Sequence, residues 1–301
     1  MITSLSKQKK SHRYALISAS KLIINHINIG WLFMTTTAHY AVKAAKRLNL
    51  EPWLYSFIYR EFRKIHKNHG VSIATNNYGY FPTDISASDK YQLQMYDEYV
   101  KLLESENTSQ ILEIGCGAGG GLMHMQSRLP DSCFTGLDRC KEAIKTCKYF
   151  FPEHANFLEL YIHIKDIIKT GKKFDAIVSV ETSIYKNPEI FSVLYKLLTD
   201  DGVLVYYDNV ASSRLNGAIK SIERHGFKTE LLSDITENVF KACEFDNHRR
   251  MEITTKYLPL YLQPFNSEFE RYMCVKDSSR YINFGNGTKK SFLLKARKLK
   301  N

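Results

Sequence analysis

Residues 111–121 read Ile111-Leu112-Glu113-Ile114-Gly115-Cys116-Gly117-Ala118-Gly119-Gly120-Gly121. An apolar run carrying one acid leads into a glycine turn, and a helix-type stretch follows from about Leu122. Open α/β sheets build a nucleotide site in this way, at the carboxyl edge of their first strand. Glycine is needed where a Cβ would hold a ligand off the backbone. Many glycine turns bind nothing, so the surrounding sequence decides the reading.

Downstream of the turn, strands and helices alternate. Asp131–Asp138 reads as a turn and a short strand ending in an acid. Asp138 lies 21 residues after Gly117, near the spacing at which an acid at the end of the second strand receives ribose hydroxyls. Helix from Lys141 to about Phe150, a third strand over 157–163 and a fourth over Phe174–Glu181 follow. Thr182 to Tyr185 form the exit loop of that fourth strand, and 188–198 reads as a helix. Asp200-Asp201-Gly202 turns the chain into a fifth strand, Val203–Tyr207, which ends at Asp208. A short helix over 218–224 leads to a sixth strand starting at Gly226-Phe227. Residues 233–282 break the rhythm and read as a mostly helical insertion over the active-site edge. Ser291–Ala296 reads as a last strand. Such alternation points to a mainly parallel sheet.

Upstream, residues 89–105 read as the helix that feeds the Ile111 strand. The stretch Asn76-Asn77-Tyr78-Gly79-Tyr80-Phe81-Pro82 is turn-rich and aromatic, as a lid or a packed linker would be. Residues 51–70 read as an amphipathic helix, with Trp53, Phe57, Ile58, Phe62 and Ile65 opposite Arg60, Arg63, Lys64 and Lys67.

The net charge of +11 is uneven. Residues 1–70 carry twelve Lys/Arg against Glu51 and Glu61, which leaves the remaining chain close to neutral. The body is therefore no basic nucleic-acid binder, and any electrostatic partner belongs to the N-terminal segment. Residues 22–42 hold no charged side chain, yet Asn25, His26, Asn28, Thr35 and His39 interrupt them. Apolar positions there recur every three or four residues. This spacing suits a helix lying on a surface, either the protein's own core or an anionic membrane reached by residues 1–67. A span or a signal segment is the remaining alternative. Cysteines 116, 133, 140, 147, 243 and 274 form no CxxC pair and no metal spacing, which suits reduced thiols in a cytoplasm and predicts no metal site.

Four blocks together carry a family resemblance. They are Glu113-x-Gly115-x-Gly117-x-Gly119, then Gly136-Leu137-Asp138, then Phe174-Asp175, and then the Leu197-Leu198 to Asp201-Gly202 turn. In this order the chain resembles a class I S-adenosylmethionine-dependent methyltransferase of the type 11 group. Asn77-Tyr78-Gly79-Tyr80, the Tyr91–Tyr99 helix, Val180-Glu181, Tyr281 and Phe292 resemble the branch that includes the phthiotriol/phenolphthiocerol dimycocerosates methyltransferases. The resemblance implies a Rossmann-like α/β fold with a seven-stranded, mostly parallel sheet. Residues 1–85 would form a basic helical extension and cap. Residues 86–301 would form the catalytic domain, with a lid insertion at about 233–282.

It also implies S-adenosylmethionine as cofactor and a hydrophobic small molecule as acceptor: a lipid, polyketide or related product methylated at a hydroxyl oxygen. The cofactor has no phosphate, so Gly115, Gly117 and Gly119 would admit its methionine and ribose parts. The following helix N-terminus would favour its carboxylate. Glu113 would hold the turn or reach the cofactor's amino group, and Asp138 would accept the ribose hydroxyls. Cys116 and Arg139 would flank these two. Tyr78 and Tyr80 would close over the cofactor or acceptor, with aromatic faces suited to a sulfonium. Relatives carry a Gly-Asp-Ala motif after strand three whose Asp meets the adenine; His163 stands there by ungapped counting, and Asp166 with a small gap. Relatives also carry a His after the strand-four Glu, where this chain has Ile184. Glu181 is then the leading base or acceptor-orienting group, followed by Tyr185, His163 and Asp208. His225 and His248 read as surface residues. A non-catalytic binding module and an NAD-dependent oxidoreductase remain as alternatives; Glu113 and the Phe174-Asp175 strand speak against the second.

Overall fold

A computed structural model describes residues 51–82, 84, 89–154 and 159–300. The uncharged stretch at 22–42, with its membrane and packing readings, lies outside the described residues. The described chain opens with helix α1 (Glu51–His69) and helix α2 (Lys90–Glu104), joined by the aromatic segment 71–82. There follow β1 (Gln110–Ile114), α3 (Gly120–Arg128), β2 (Cys133–Leu137), α4 (Lys141–Phe150), β3 (Glu159–Tyr161), α5 (Ile164–Thr170) and β4 (Phe174–Val180). Next come α6 (Ile190–Leu197), β5 (Leu198–Ala211), α7 (Leu215–Arg224) and β6 (Phe227–Asp234). Helices α8 (Thr236–Phe245), α9 (Asn247–Thr255), α10 (Asn266–Met273) and α11 (Ser279–Gly285) precede β7 (Lys289–Lys298).

The seven strands form one sheet in the order β3-β2-β1-β4-β5-β7-β6. Strands β1 to β5 pair in parallel, whereas β7 runs antiparallel between β5 and β6. Chain order reverses direction across the sheet at β1 and β4, and that is where doubly wound sheets open a ligand crevice at their carboxyl ends.

Both faces are covered, which explains why the central strands are mostly apolar, Glu113 in β1 and Asp175 and Ser179 in β4 being polar. Ile111, Val178, Val203, Val205 and Tyr207 face one layer with Met95, Tyr99, Leu103 and Leu122. Their neighbours Leu112, Ile177, Leu204 and Tyr206 face the other, with Phe191, Leu194, Ile219 and Ile222 of α6 and α7. Strand β5 is longer than its apolar run. Its far end, Asp208–Ala211, pairs with Lys289–Phe292 of β7, and Leu198 pairs with Phe174 beyond a bulge. Pairing with β7 therefore carries polar Asp208 and Asn209 into strand structure.

Helix α1 buries Ile58, Tyr59, Phe62 and Ile65 in a third apolar cluster with Ala118, Cys140 and Ala143. Arg63 does not share the solvent face expected for it: it pairs with Glu142 and donates to Thr146 Oγ1 (2.6 Å). Lys64 pairs with the buried Glu61 at 2.7 Å. Part of the basic charge on this helix is thus answered within the fold. Ile253, Met273 and Val275, between β6 and β7, close the same cluster.

Candidate cofactor and acceptor site

The glycine turn is tied to the end of β2. Gly115 N–H and Cys116 N–H both donate to Leu137 O, at 2.6 and 3.1 Å. Gly115, Gly117 and Gly119 all have positive φ (76°, 57° and 84°). Space is short as well. A Cβ on Gly115 would stand 2.3 Å from Thr182 Cγ2, and one on Gly117 would stand 2.8 Å from the Tyr59 hydroxyl. Tyr59 thus brings α1 down onto the turn. It was invisible as a site residue in the sequence, where it is one aromatic among several in an amphipathic helix.

Glu113, the acid of the apolar run, is fully buried. Its Oε1 accepts from Tyr96 O–H at 3.2 Å, while Oε2 has no partner. Burial pushes its carboxyl up to about 8. An orphaned buried carboxylate oxygen beneath a glycine turn is a polar group left for a ligand to satisfy. An ammonium group would do so and would hold Glu113 ionised. Asp138 accepts from Gly117 N–H at Oδ2 (3.0 Å) and from Cys140 N–H at Oδ1 (2.8 Å). Each oxygen retains a lone pair, which fits a ribose diol. Burial raises its pKa, and the two amides oppose that shift. These two carboxyls and the glycine backbone fit S-adenosylmethionine.

Other expected residues fall differently. Cys116 is buried against Gly136, with its thiol within electrostatic reach of Glu113 and Asp138. Arg139 is exposed beside Asp138. His163 is exposed at the start of α5, and Asp166 pairs with Lys169 at 3.7 Å. Both stand near the exit of β3, and neither bonds to Asp138. Tyr80 is set beside Glu98 and Lys101 of α2, so the two tyrosines of the aromatic segment part company.

Tyr78 instead reaches the exit of β4. Its N–H donates to Glu181 Oε1 at 2.9 Å, and Tyr207 O–H donates to the same oxygen at 2.5 Å. Burial raises the Glu181 carboxyl to about 8. Glu181 and Ser183 both adopt left-handed backbone (φ 53° and 56°), an arrangement that surrounding structure must impose. Strand β5 supplies that restraint, through Tyr207 O and Asp208 Oδ2, which accept from Glu181 N–H (3.0 Å) and Ser183 N–H (2.7 Å), while segment 246–280 holds Tyr78. Buried Arg250 donates to Tyr78 O at 2.7 Å and is paired with Asp246 at 3.0 Å. Arg280 bonds the Tyr78 hydroxyl and lies over its ring, 5.5 Å from the centroid. Asp208 accepts from Tyr206 O–H (2.5 Å), Ser183 N–H (2.7 Å) and Asn209 N–H (2.7 Å).

Between these groups lies a cavity of about 90 Å³, lined among others by Tyr78, Glu181, Tyr185, Asp208, Arg280 and Lys289. Tyr185 belongs to its wall. Tyr207, Arg280 and Lys289 escaped notice in the sequence, since no local motif marks them. Among the described residues, no cluster of His, Cys, Asp or Glu is suited to a metal, and all six cysteines are unpaired. No helix among the described residues is long and apolar enough to cross a membrane.

The chain is 27% identical over 181 residues to a fatty-acid O-methyltransferase of Mycolicibacterium smegmatis, covering 55% of this chain and 64% of that protein. It is 24% identical over 216 residues to the phthiotriol/phenolphthiotriol dimycocerosates methyltransferase of Mycobacterium leprae, covering 67% and 75%. A solved cyclopropane synthase from Mycobacterium tuberculosis shares the fold, with a TM-score of 0.61 at 15% identity, over 74% of this chain and 90% of that one. A family model of the methyltransferase domain matches residues 105–256, half of the chain. The chain belongs to the methyltransferase-domain family, among the class I methyltransferases whose cofactor is S-adenosylmethionine.

Proposed function

We propose that this protein transfers the methyl group of S-adenosylmethionine to a hydroxyl oxygen of a hydrophobic small molecule, a lipid, polyketide or related product. The observation that carries the donor half is Glu113, buried with one oxygen unpartnered beneath the positive-φ glycine turn. The acceptor half draws on the substrates for which the relatives are named, a fatty acid and a dimycocerosate lipid.

Bound cofactor supplies an electrophilic methyl group on a sulfonium. The chain's own part is mainly positioning, and alignment of reactants is worth up to roughly 7–11 kcal/mol. Glu113 would take the amino group, Asp138 the ribose diol, and the glycine backbone would allow close approach. Tyr78 fixes Glu181 through its N–H, and Tyr207 fixes it through its hydroxyl. With its carboxyl at about 8, Glu181 is matched to removing a hydroxyl proton near neutral pH. Residues 233–282 act as a lid that sets Tyr78 through Arg250 and Arg280.

Residues 1–67, with most of the chain's net positive charge, bring this cytoplasmic protein to an anionic membrane from which the acceptor is drawn. The test supplies methyl-labelled S-adenosylmethionine together with lipid extract in vesicles, either anionic or neutral. Label is expected in an organic-soluble product, formed faster from anionic vesicles and slowed by salt. Cofactor binding without any labelled product would instead favour a non-catalytic binding module. Equal rates from both kinds of vesicle would remove the membrane role alone.

A further inference from the structure

The cavity beside Glu181 is unusual in its charges. Arg280 of α11 and Lys289, the first residue of β7, line it together, and Lys186 stands exposed at its mouth. Among the described residues none of these three cations pairs with a carboxylate. Arg280 spends a donor on the Tyr78 hydroxyl, and Lys289 makes no hydrogen bond there. Both nearby carboxyls are already engaged. Glu181 is held by Tyr78 and Tyr207, and Asp208 by Tyr206 and two backbone amides.

Two half-buried cations side by side, facing Glu181 and Asp208 across the cavity but hydrogen-bonded to neither, are incompletely neutralised. Burial depresses Arg280, and burial together with Arg280 lowers Lys289 to about 8 although Glu181 and Asp208 oppose that shift. Aromatic faces nonetheless hold cations here. Arg280 lies over Tyr78 at 5.5 Å, and Lys186 lies 5.9 Å from the Tyr185 centroid. Packing therefore fixes the arrangement, and an anion would complete its neutralisation.

Position decides whose anion it is. Lys289 pairs in register with Ala211 at the far end of β5, so the cavity lies on the β4-β5-β7 side of the sheet. The glycine turn and Asp138 lie at the ends of β1 and β2. Tyr78 and Glu181 stand at the exit of β4, which pairs with β1 on one side and β5 on the other. The methyl donor's own groups are met on the β1-β2 side, leaving the cations for the acceptor.

We propose that this cavity is an anion subsite of the acceptor, holding a carboxylate or a phosphate between Arg280 and Lys289, with Lys186 at the entrance. The acceptor is then an amphiphile with an acidic head group. This rests on the methyltransferase reading for the identity of the occupant, while the subsite itself rests on the cation geometry.

The test is calorimetric titration of the full chain, saturated with S-adenosylhomocysteine, using decanoate, decyl phosphate, decanol and inorganic phosphate. Decanoate or decyl phosphate is expected to bind at least about tenfold more tightly than decanol, as charge-assisted hydrogen bonds require. The better of the two names the head group. Lys289→Gln and Arg280→Gln are each expected to weaken that anion about tenfold or more. In Lys289→Gln, affinity for S-adenosylhomocysteine should stay within about twofold, since Lys289 does not touch Tyr78, Glu113 or Asp138. Lys289→Arg should restore most of the loss, and thermal melting checks the fold of each variant.

The proposal is overturned if decanol binds as well as the anions. It is also overturned if a folded Lys289→Gln binds the anion unchanged, or if inorganic phosphate binds as tightly as decyl phosphate. Failure to bind S-adenosylhomocysteine would instead strike the methyltransferase reading, and the anion titration, repeated without it, still reports on the subsite.

Discussion

Asp138→Ala is expected to weaken S-adenosylmethionine binding by about a hundredfold or more. Two ribose hydroxyls would lose a charged acceptor, and hydrogen bonds to charged groups are worth about 1.5–3 kcal/mol each. The same change strips partners from Gly117 N–H and Cys140 N–H, which Asp138 now holds at 3.0 and 2.8 Å. The glycine turn would then loosen on the β2 side. Asp138→Asn separates the two effects. Its amide oxygen can still accept from one backbone amide, whereas its NH₂ cannot accept a ribose hydroxyl. A loss with Asp138→Asn nearly as large as with Asp138→Ala, at unchanged melting temperature, assigns the effect to the ligand. Undiminished binding by either variant would remove Asp138 from the site.

Glu181→Gln is expected to lower kcat by about 10²–10⁴-fold, the usual worth of a general base. The amide keeps the shape and can still accept from Tyr78 N–H and Tyr207 O–H, so KM for the cofactor should change little. The pH profile gives the sharper readout. A base whose carboxyl lies at about 8 must lose its proton to act, so the native rate climbs with pH and levels off above about 8. That limb should vanish in the variant. A variant that keeps both rate and limb shows that Glu181 only orients the acceptor.

Stability runs in the opposite sense for the same reason. A carboxyl raised from about 4.5 to about 8 holds its proton in the folded state when the unfolded chain has lost it. The contribution of Glu181 and Glu113 is full below about pH 4.5 and is lost as pH rises towards about 8. Glu181→Gln should accordingly flatten the decline of melting temperature across that window.

What could be read from the sequence was what chain-local chemistry determines. The glycine turn and Asp138 are joined by a short strand-turn-helix connection, so their spacing nearly fixes their geometry. The order of strands and helices was legible because apolar strands and amphipathic helices differ in period. Strand β5 came out too short in the sequence reading because Asp208 and Asn209 are polar. They are strand residues only through pairing with β7, some 80 residues later. The acceptor side was legible only in part. Tyr78 and Glu181 stood in blocks that carry the family resemblance, whereas Tyr207 and Arg280, which meet them from two further segments, carry no motif. Tyr80 shows the limit of reading by neighbourhood: two residues from Tyr78, it faces α2 instead. His163, reached by counting back from Phe174, is exposed just before α5.

The most direct test of the donor site is calorimetric titration of the full native chain with S-adenosylmethionine at pH 7, in two buffers of different ionisation enthalpy. The cofactor's ammonium needs Glu113 ionised, yet burial keeps that carboxyl protonated up to about 8 in the free protein. Saturable binding of one cofactor per chain is predicted, with release of close to one proton and an affinity that strengthens as pH rises towards about 8. Absence of saturable binding would contradict the account at its centre, and binding with no proton release would detach Glu113 from the cofactor.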